Sequence, residues 1–202
     1  MYRAVLDTCT LVPGRQRDFL LQLAAEGAFA PLWGSGILFE LDYVLAALDA
    51  RRGRADSDER RQHLFVQMRR AFPGAEIDAP KDRTYDYGLD DPDDGHVAHA
   101  AILGKADAIV TDDRRAGFKV SGVLCEAGIE VVRPHEFAAS TVATHPDAGV
   151  HALTAMSRRM TTPALSPREI LDELRLRYGM DEMAELLDER LTGGGSRNPT
   201  VR

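Results

Sequence analysis

Short apolar runs alternate along this chain with stretches whose apolar positions recur every three or four residues. The first run, Ala4-Val5-Leu6, stops at Asp7-Thr8, and Pro13-Gly14 follows; this reads as the opening strand of an α/β domain. Phe19, Leu20, Leu23 and Ala24 then fall at helical spacing, with Gly27 placed to end a helix in the left-handed conformation. Phe29 to Trp33 reads as a second buried strand, and Ser35 as the N-cap of the next helix. That helix carries the broadest stripe in the chain, Ile37, Leu38, Leu41, Val44, Leu45 and Leu48. Glu40 lies about 100° from the centre of the stripe, at the border of the packed face.

Asp56-Ser57-Asp58 reads as a turn and helix start, followed by Leu64, Met68 and Phe72 at four-residue spacing and a stop at Pro73-Gly74. Glu76 to Ala79 reads as a short third strand. Asp90-Asp91-Pro92-Asp93-Asp94 opens a small-residue helix through Leu103, with Pro92 suited to its first turn. Ala108-Ile109-Val110 is a fourth strand ending at Thr111-Asp112-Asp113. Phe118 to Ala127 is weakly helical, and Ile129 to Val132 is a last strand. This succession predicts a parallel sheet flanked by helices, with right-handed crossovers.

Beyond residue 140 the pattern is helical only. One helix starts at Thr144-His145-Pro146-Asp147 and runs to Arg159. A second opens with the capping box Ser166-Pro167-Arg168-Glu169 and carries Ile170, Leu171, Leu174 and Leu176. After Gly179 a third carries Met183, Leu186, Leu187 and Leu191. The expected division is an α/β domain over residues 1–139, a helical extension over 140–192, and a disordered Gly-rich tail over 193–202.

The composition, 44% hydrophobic and 28% charged over 202 residues, is that of a globular chain rather than a disordered one. Cys9 and Cys125 show neither disulfide-framework nor metal spacing, which fits a reducing cytoplasm. Neither a signal segment nor a membrane span is apparent. A net charge of -7 argues against broad adhesion to nucleic acid through charge alone. Arginines nevertheless cluster from Arg51 to Arg70, and Arg51, Arg52 and Arg54 are candidate phosphate contacts; a solvated helix surface balanced by Asp56, Asp58 and Glu59 explains the cluster equally well.

The candidate chemistry lies in acids at strand ends and helix starts: Asp7, Glu40, the Asp93/Asp94 pair and the Asp112/Asp113 pair. The carboxyl edge of a parallel sheet is where ligands bind. Hard oxygen donors without His or Cys select Mg²⁺ or Mn²⁺, and such an ion implies a phosphate-bearing substrate and phosphodiester hydrolysis. Taken alone, Asp7 reads equally as a cap for the next turn, and Glu40 as an acid complementing a helix dipole.

Together, Val5-Leu6-Asp7-Thr8, Ser35 with Glu40, Asp93-Asp94-Gly95-His96-Val97-Ala98-His99-Ala100-Ala101, and Ile109-Val110-Thr111-Asp112-Asp113 with Phe118 resemble the PIN-domain nucleases, most closely the VapC-type toxins of bacterial toxin–antitoxin pairs. The resemblance covers roughly residues 1 to 139. It implies a PIN-like three-layer fold and a metal-dependent ribonuclease that cuts structured RNA such as tRNA. It also implies inhibition by a VapB-like antitoxin and a homodimer. Carried over by position, the catalytic and metal-binding acids are Asp7, Glu40, Asp93 and Asp113, with Asp94 and Asp112 as register alternatives; Thr8 and Thr111 look like supporting hydroxyls. His96 and His99 read as packing residues or neighbours of the ligands. The helical extension resembles that of a longer subgroup of the same toxins. The competing classes are a PIN-like module that binds without cutting, which would normally lack one of the acids, and a phosphatase with an Asp nucleophile. The latter would carry a second Asp two residues after Asp7, where Cys9 stands.

Overall fold

A computed structural model describes residues 1–54 and 57–193. Five parallel strands form one sheet in the order β3-β2-β1-β4-β5, with β1 Arg3–Leu6, β2 Ala30–Gly34, β3 Glu76–Ile77, β4 Ala108–Val110 and β5 Glu130–Val132. The centre of the sheet is the most apolar part of the chain: Val5, Leu6, Trp33, Ile109 and Val110 are fully buried, as a parallel strand covered on both faces requires. Val5 pairs with Leu32 on one side and with Ile109 on the other. The two-residue β3 and the partly exposed β5 form the edges. The sheet is flanked by helices, as the alternation of patterns predicts.

The helices of this part are α1 (Thr8–Leu11), α3 (Ser35–Arg51), α4 (Ser57–Ala71), α5 (Gly95–Gly104) and α6 (Gly122–Glu126), and α2 (Gly14–Ala25) begins in it. Helix α5 lies across β1, β2, β3 and β4. Its small side chains allow that approach: a Cβ on Gly104 would stand 2.9 Å from Leu32, and one on Gly34 3.2 Å from Ala100. Gly27 does adopt a left-handed conformation after α2, with φ of 80°.

Several local expectations change. Gly34, not Ser35, is the N-cap of α3, and it makes no side-chain cap. The Ser35 hydroxyl instead accepts the Ala79 N–H at 3.1 Å, tying the loop after β3 to the helix start. The stripe on α3 is fully buried only through Leu41; Val44, Leu45 and Leu48 are half-buried, because the sheet ends where the helix continues. On α4 the buried pair is Phe65 and Met68 rather than Leu64 and Met68. Asp56, read as part of the α4 start, lies outside the described residues, as does the tail from residue 194.

Two compact units divide the chain, Met1–Arg17 with Phe29–Pro134, and Asp18–Ala28 with His135–Arg202. The described part of the second contains α2 from Asp18 onward, nearly all of α7 (Pro134–Thr144), α8 (Pro146–Arg159), α9 (Pro167–Tyr178) and α10 (Asp181–Gly193). Helix α7 has no counterpart in the sequence reading. The capping box at Ser166 and Glu169 is formed in both directions. Ile170, Leu171, Leu174, Met183 and Leu187 are fully buried, whereas Leu176, read as part of the apolar repeat, is 83% exposed. Two residues beyond Leu174, it is turned away from that face of the helix.

Candidate active site

Strands β1 and β4 are neighbours in the sheet, yet the chain leaves β1 to build one side and returns through β4 to build the other. Their carboxyl ends therefore form a topological switch point, where loops diverge and leave a crevice. Asp7 follows β1 and Thr111-Asp112-Asp113 follows β4, so both acid-bearing termini meet there.

Asp7 is buried. Its Oδ1 accepts the Thr8 N–H at 2.6 Å, capping α1, and its Oδ2 accepts the Thr111 hydroxyl at 2.6 Å and the Cys9 thiol at 3.2 Å. Capping and membership of the acid cluster thus coexist in one residue. Burial pushes the Asp7 carboxyl up; the bonds from Thr111, Cys9 and Thr8 oppose this, and the charge of Glu40 adds to it. Burial also pushes the Cys9 thiol up to about 12, with the Asp7 charge reinforcing it, so Cys9 remains a protonated donor.

Thr111 supports two acids at once, since its oxygen accepts the Asp113 N–H at 2.9 Å while its hydroxyl donates to Asp7. Asp113 is exposed and folds its Oδ1 back onto the Arg115 N–H at 2.6 Å. Asp112 is also exposed, and its N–H donates to Cys9 Sγ at 3.3 Å.

The doublet before α5 separates. Pro92–Asp94 is a 3-10 turn capped by Asp91, whose side chain accepts the Asp93 N–H at 3.0 Å. Asp93 is exposed and presents its carbonyl to His96 Nδ1 at 2.9 Å. Asp94 is half-buried at the N-cap position of α5, but its side chain makes no capping bond. Burial, and then the charges of Asp7, Asp113, Asp91 and Glu40, push its carboxyl up to about 6.

Glu40, in the second turn of α3, accepts the Thr8 hydroxyl at 2.8 Å and is ion-paired to the Lys81 ammonium. His96, 1% exposed, places Nε2 3.3 Å from Glu40 Oε2. That contact is too misaligned to satisfy the buried nitrogen as a hydrogen bond. Burial alone would raise the Glu40 carboxyl, but His96, Lys81 and Thr8 overcome it and hold the group at about 2. His99 stacks on Tyr85 with centroids 4.4 Å apart, and its Nδ1 meets the Tyr87 hydroxyl at 2.7 Å.

The candidate phosphate contacts lie elsewhere. Arg51 ends α3, eleven residues beyond Glu40 and so about 16 Å along the helix axis. Arg54 is paired with Asp49 at 3.3 Å, while Arg51 and Arg52 are exposed. Closer to the acids, a pocket of about 340 Å³ opens beside Thr111 and Asp113, with Arg114, Lys119 and Arg133 among its lining residues. Neither Lys81 nor this basic lining carries a periodic signal in the sequence. A lysine after Pro80 in a long loop gains meaning only once the loop is folded onto α3.

Among the described residues, no three His, Cys, Asp or Glu side chains form a ready-made metal cage. Magnesium does not require one, because it typically binds through one or two carboxylates and completes its shell with water and phosphate oxygens. An all-oxygen donor set, an uncapping Asp94 and carboxylates that repel one another suit a hard divalent cation held largely through water.

These features define an acid-edged α/β domain that carries Asp7 and Asp113 at the switch point of a parallel sheet. A family model for the PIN domain matches residues 3–115, and the chain belongs to the PIN-domain family. PIN domains are generally nucleases. Comparison with curated proteins and with solved structures gave no match. Among the described residues no helix is long and apolar enough to cross a membrane.

Proposed function

We propose that this PIN domain is a Mg²⁺- or Mn²⁺-dependent ribonuclease that hydrolyses phosphodiester bonds, with Asp7, Asp94 and Asp113 as the residues that hold the ion. The observation that carries this reading is that Thr111, at the end of β4, donates to Asp7, at the end of β1, at 2.6 Å and accepts the Asp113 N–H at 2.9 Å, so that acids from two neighbouring strand ends share one side chain. Such a concentration of negative charge suits a cation far better than an anionic substrate alone.

A divalent ion bound there supplies an activated water and neutralises developing charge on the phosphate. The chain supplies the rest. Thr111 and Thr8 hold the Asp7 carboxylate by its two oxygens, and the Arg115 N–H holds one oxygen of Asp113, so the acids are oriented before substrate arrives. The pocket beside Asp113 brings Arg114, Lys119 and Arg133 to one side of the acids, an arrangement suited to the flanking phosphates of an RNA strand.

The resemblance in motif order supports the narrower reading of a VapC-type toxin, neutralised by a VapB-like antitoxin and acting as a homodimer on structured RNA such as tRNA. The test is cleavage of a mixed structured RNA by the purified chain. Cleavage with Mg²⁺ or Mn²⁺ that stops in chelator is expected, and full cleavage in chelator rejects the mechanism. Growth arrest on expression, relieved by co-expression of the neighbouring small gene product, tests the toxin role.

A further inference from the structure

We infer that Lys81 is a built-in cation of this site and fixes Glu40 as a positioning carboxylate, leaving the divalent ion to Asp7, Asp94 and Asp113. This rests on the metal-dependent reading above and departs from the even use of four acids that motif position alone implies.

Glu40 is already supplied with donors. Its Oε1 is paired with the Lys81 ammonium, and its Oε2 accepts the Thr8 hydroxyl at 2.8 Å and faces His96 Nε2 at 3.3 Å. These partners come from α1, from the loop after β3 and from α5, so Glu40 joins three parts of the fold. Asp7 also carries donors on both oxygens, but the Thr8 N–H, the Thr111 hydroxyl and the Cys9 thiol are all neutral and leave its charge uncompensated, whereas the charge of Glu40 is met by an ammonium. Asp94 is half-buried, and its side chain makes no capping bond.

The Lys81 backbone is held in place. The Gly36 N–H donates to the Ala79 carbonyl at 2.9 Å, and the Ala79 N–H donates to the Ser35 hydroxyl at 3.1 Å. A Cβ on Gly36 would stand 2.6 Å from His96 Cδ2, 2.7 Å from the Ala79 carbonyl and 2.9 Å from the Lys81 nitrogen. Only glycine admits that approach without a shift of backbone. The loop is thereby seated on the first turn of α3, and Lys81 reaches Glu40 one turn further on. Glu40 then acts through Thr8, whose N–H caps Asp7 Oδ1 at 2.6 Å. Its part is to hold the residue that holds the metal ligand.

The test is Mn²⁺ binding to the full chain, followed by electron paramagnetic resonance of the free ion and by calorimetry. Asp7→Asn and Asp94→Asn are expected to weaken binding by about a hundredfold or more, beyond the roughly 10–100-fold that the loss of a group merely orienting a ligand costs. Glu40→Gln, which removes only a group that orients a ligand, is expected to weaken binding by about tenfold, the low end of the range for such groups, at unchanged stoichiometry. Lys81→Met, which frees Glu40, is expected to tighten binding or add a second ion, and Lys81→Arg to restore wild-type behaviour. A loss in Glu40→Gln equal to that in Asp7→Asn, in protein with an unchanged circular dichroism spectrum, overturns the inference while leaving the metal site standing. Absence of Mn²⁺ binding in wild type overturns both.

Discussion

The Thr111 hydroxyl donates to Asp7 Oδ2 at 2.6 Å, joining residues 104 apart in sequence at the ends of two neighbouring strands. The same oxygen receives the Asp113 N–H, so one buried side chain sets the spacing of two acids. Thr111→Val keeps the shape but leaves a buried carboxylate oxygen and an amide short of a partner. A loss of about 1 to 3 kcal/mol in unfolding free energy is expected, together with a fall in kcat larger than any rise in KM. Urea titration and steady-state cleavage check the two halves.

Asp94 and Asp93 are adjacent but not equivalent. Asp94→Asn removes the half-buried charge that the other acids repel, so cleavage should fall about a hundredfold or more while the metal-free protein becomes more stable. The carboxyl, pushed up to about 6 from its ordinary 3.8, destabilises the native state when ionised. At neutral pH its removal therefore raises unfolding free energy, by on the order of 1 kcal/mol after solvent screening. Asp93→Asn should leave both quantities near wild type. Thermal melts in chelator beside cleavage rates distinguish the two positions; parallel loss of activity in both variants would remove the distinction.

Two basic regions compete as the RNA contact. If flanking phosphates lie in the pocket beside Asp113, Lys119→Glu raises KM about tenfold and flattens the dependence of binding on salt. The pair Arg51→Glu with Arg52→Glu, at the far end of α3, should change KM much less on a short oligonucleotide than on a long structured RNA. Cleavage of the two substrates over a salt series measures the difference.

The extension has its own stability test. Ser166 and Glu169 cap α9 reciprocally, and Ser166→Ala should cost about 1 kcal/mol in unfolding free energy with no change in cleavage of short RNA. Unfolding monitored by circular dichroism provides the check.

The chain states its strands openly, because a buried parallel strand has to be a continuous apolar run, and Val5-Leu6 and Ile109-Val110 are such runs. The acids at their ends are legible for the same reason: they mark where the apolar run stops. The doublet before α5 is harder to read, since a 3-10 turn precedes the helix and Asp93, reached by counting back from His96, turns its carbonyl to that histidine. Gly34 displaced Ser35 as the α3 cap because a bond from Ala79, 44 positions away, claims the serine hydroxyl. Helix α7 hides in Phe137, Ala138, Ala139 and Val142, where small residues blur the apolar period. Lys81 could not be read locally, since its partner Glu40 lies 41 positions away.

In the metal-dependent reading, carboxylates from separate strand and helix ends meet around one cation. Anomalous diffraction from crystals soaked in Mn²⁺ measures this directly. A peak bounded by Asp7, Asp94 and Asp113 is the expected result. An ion elsewhere on the molecule, or none in crystals of protein proven active, would contradict it.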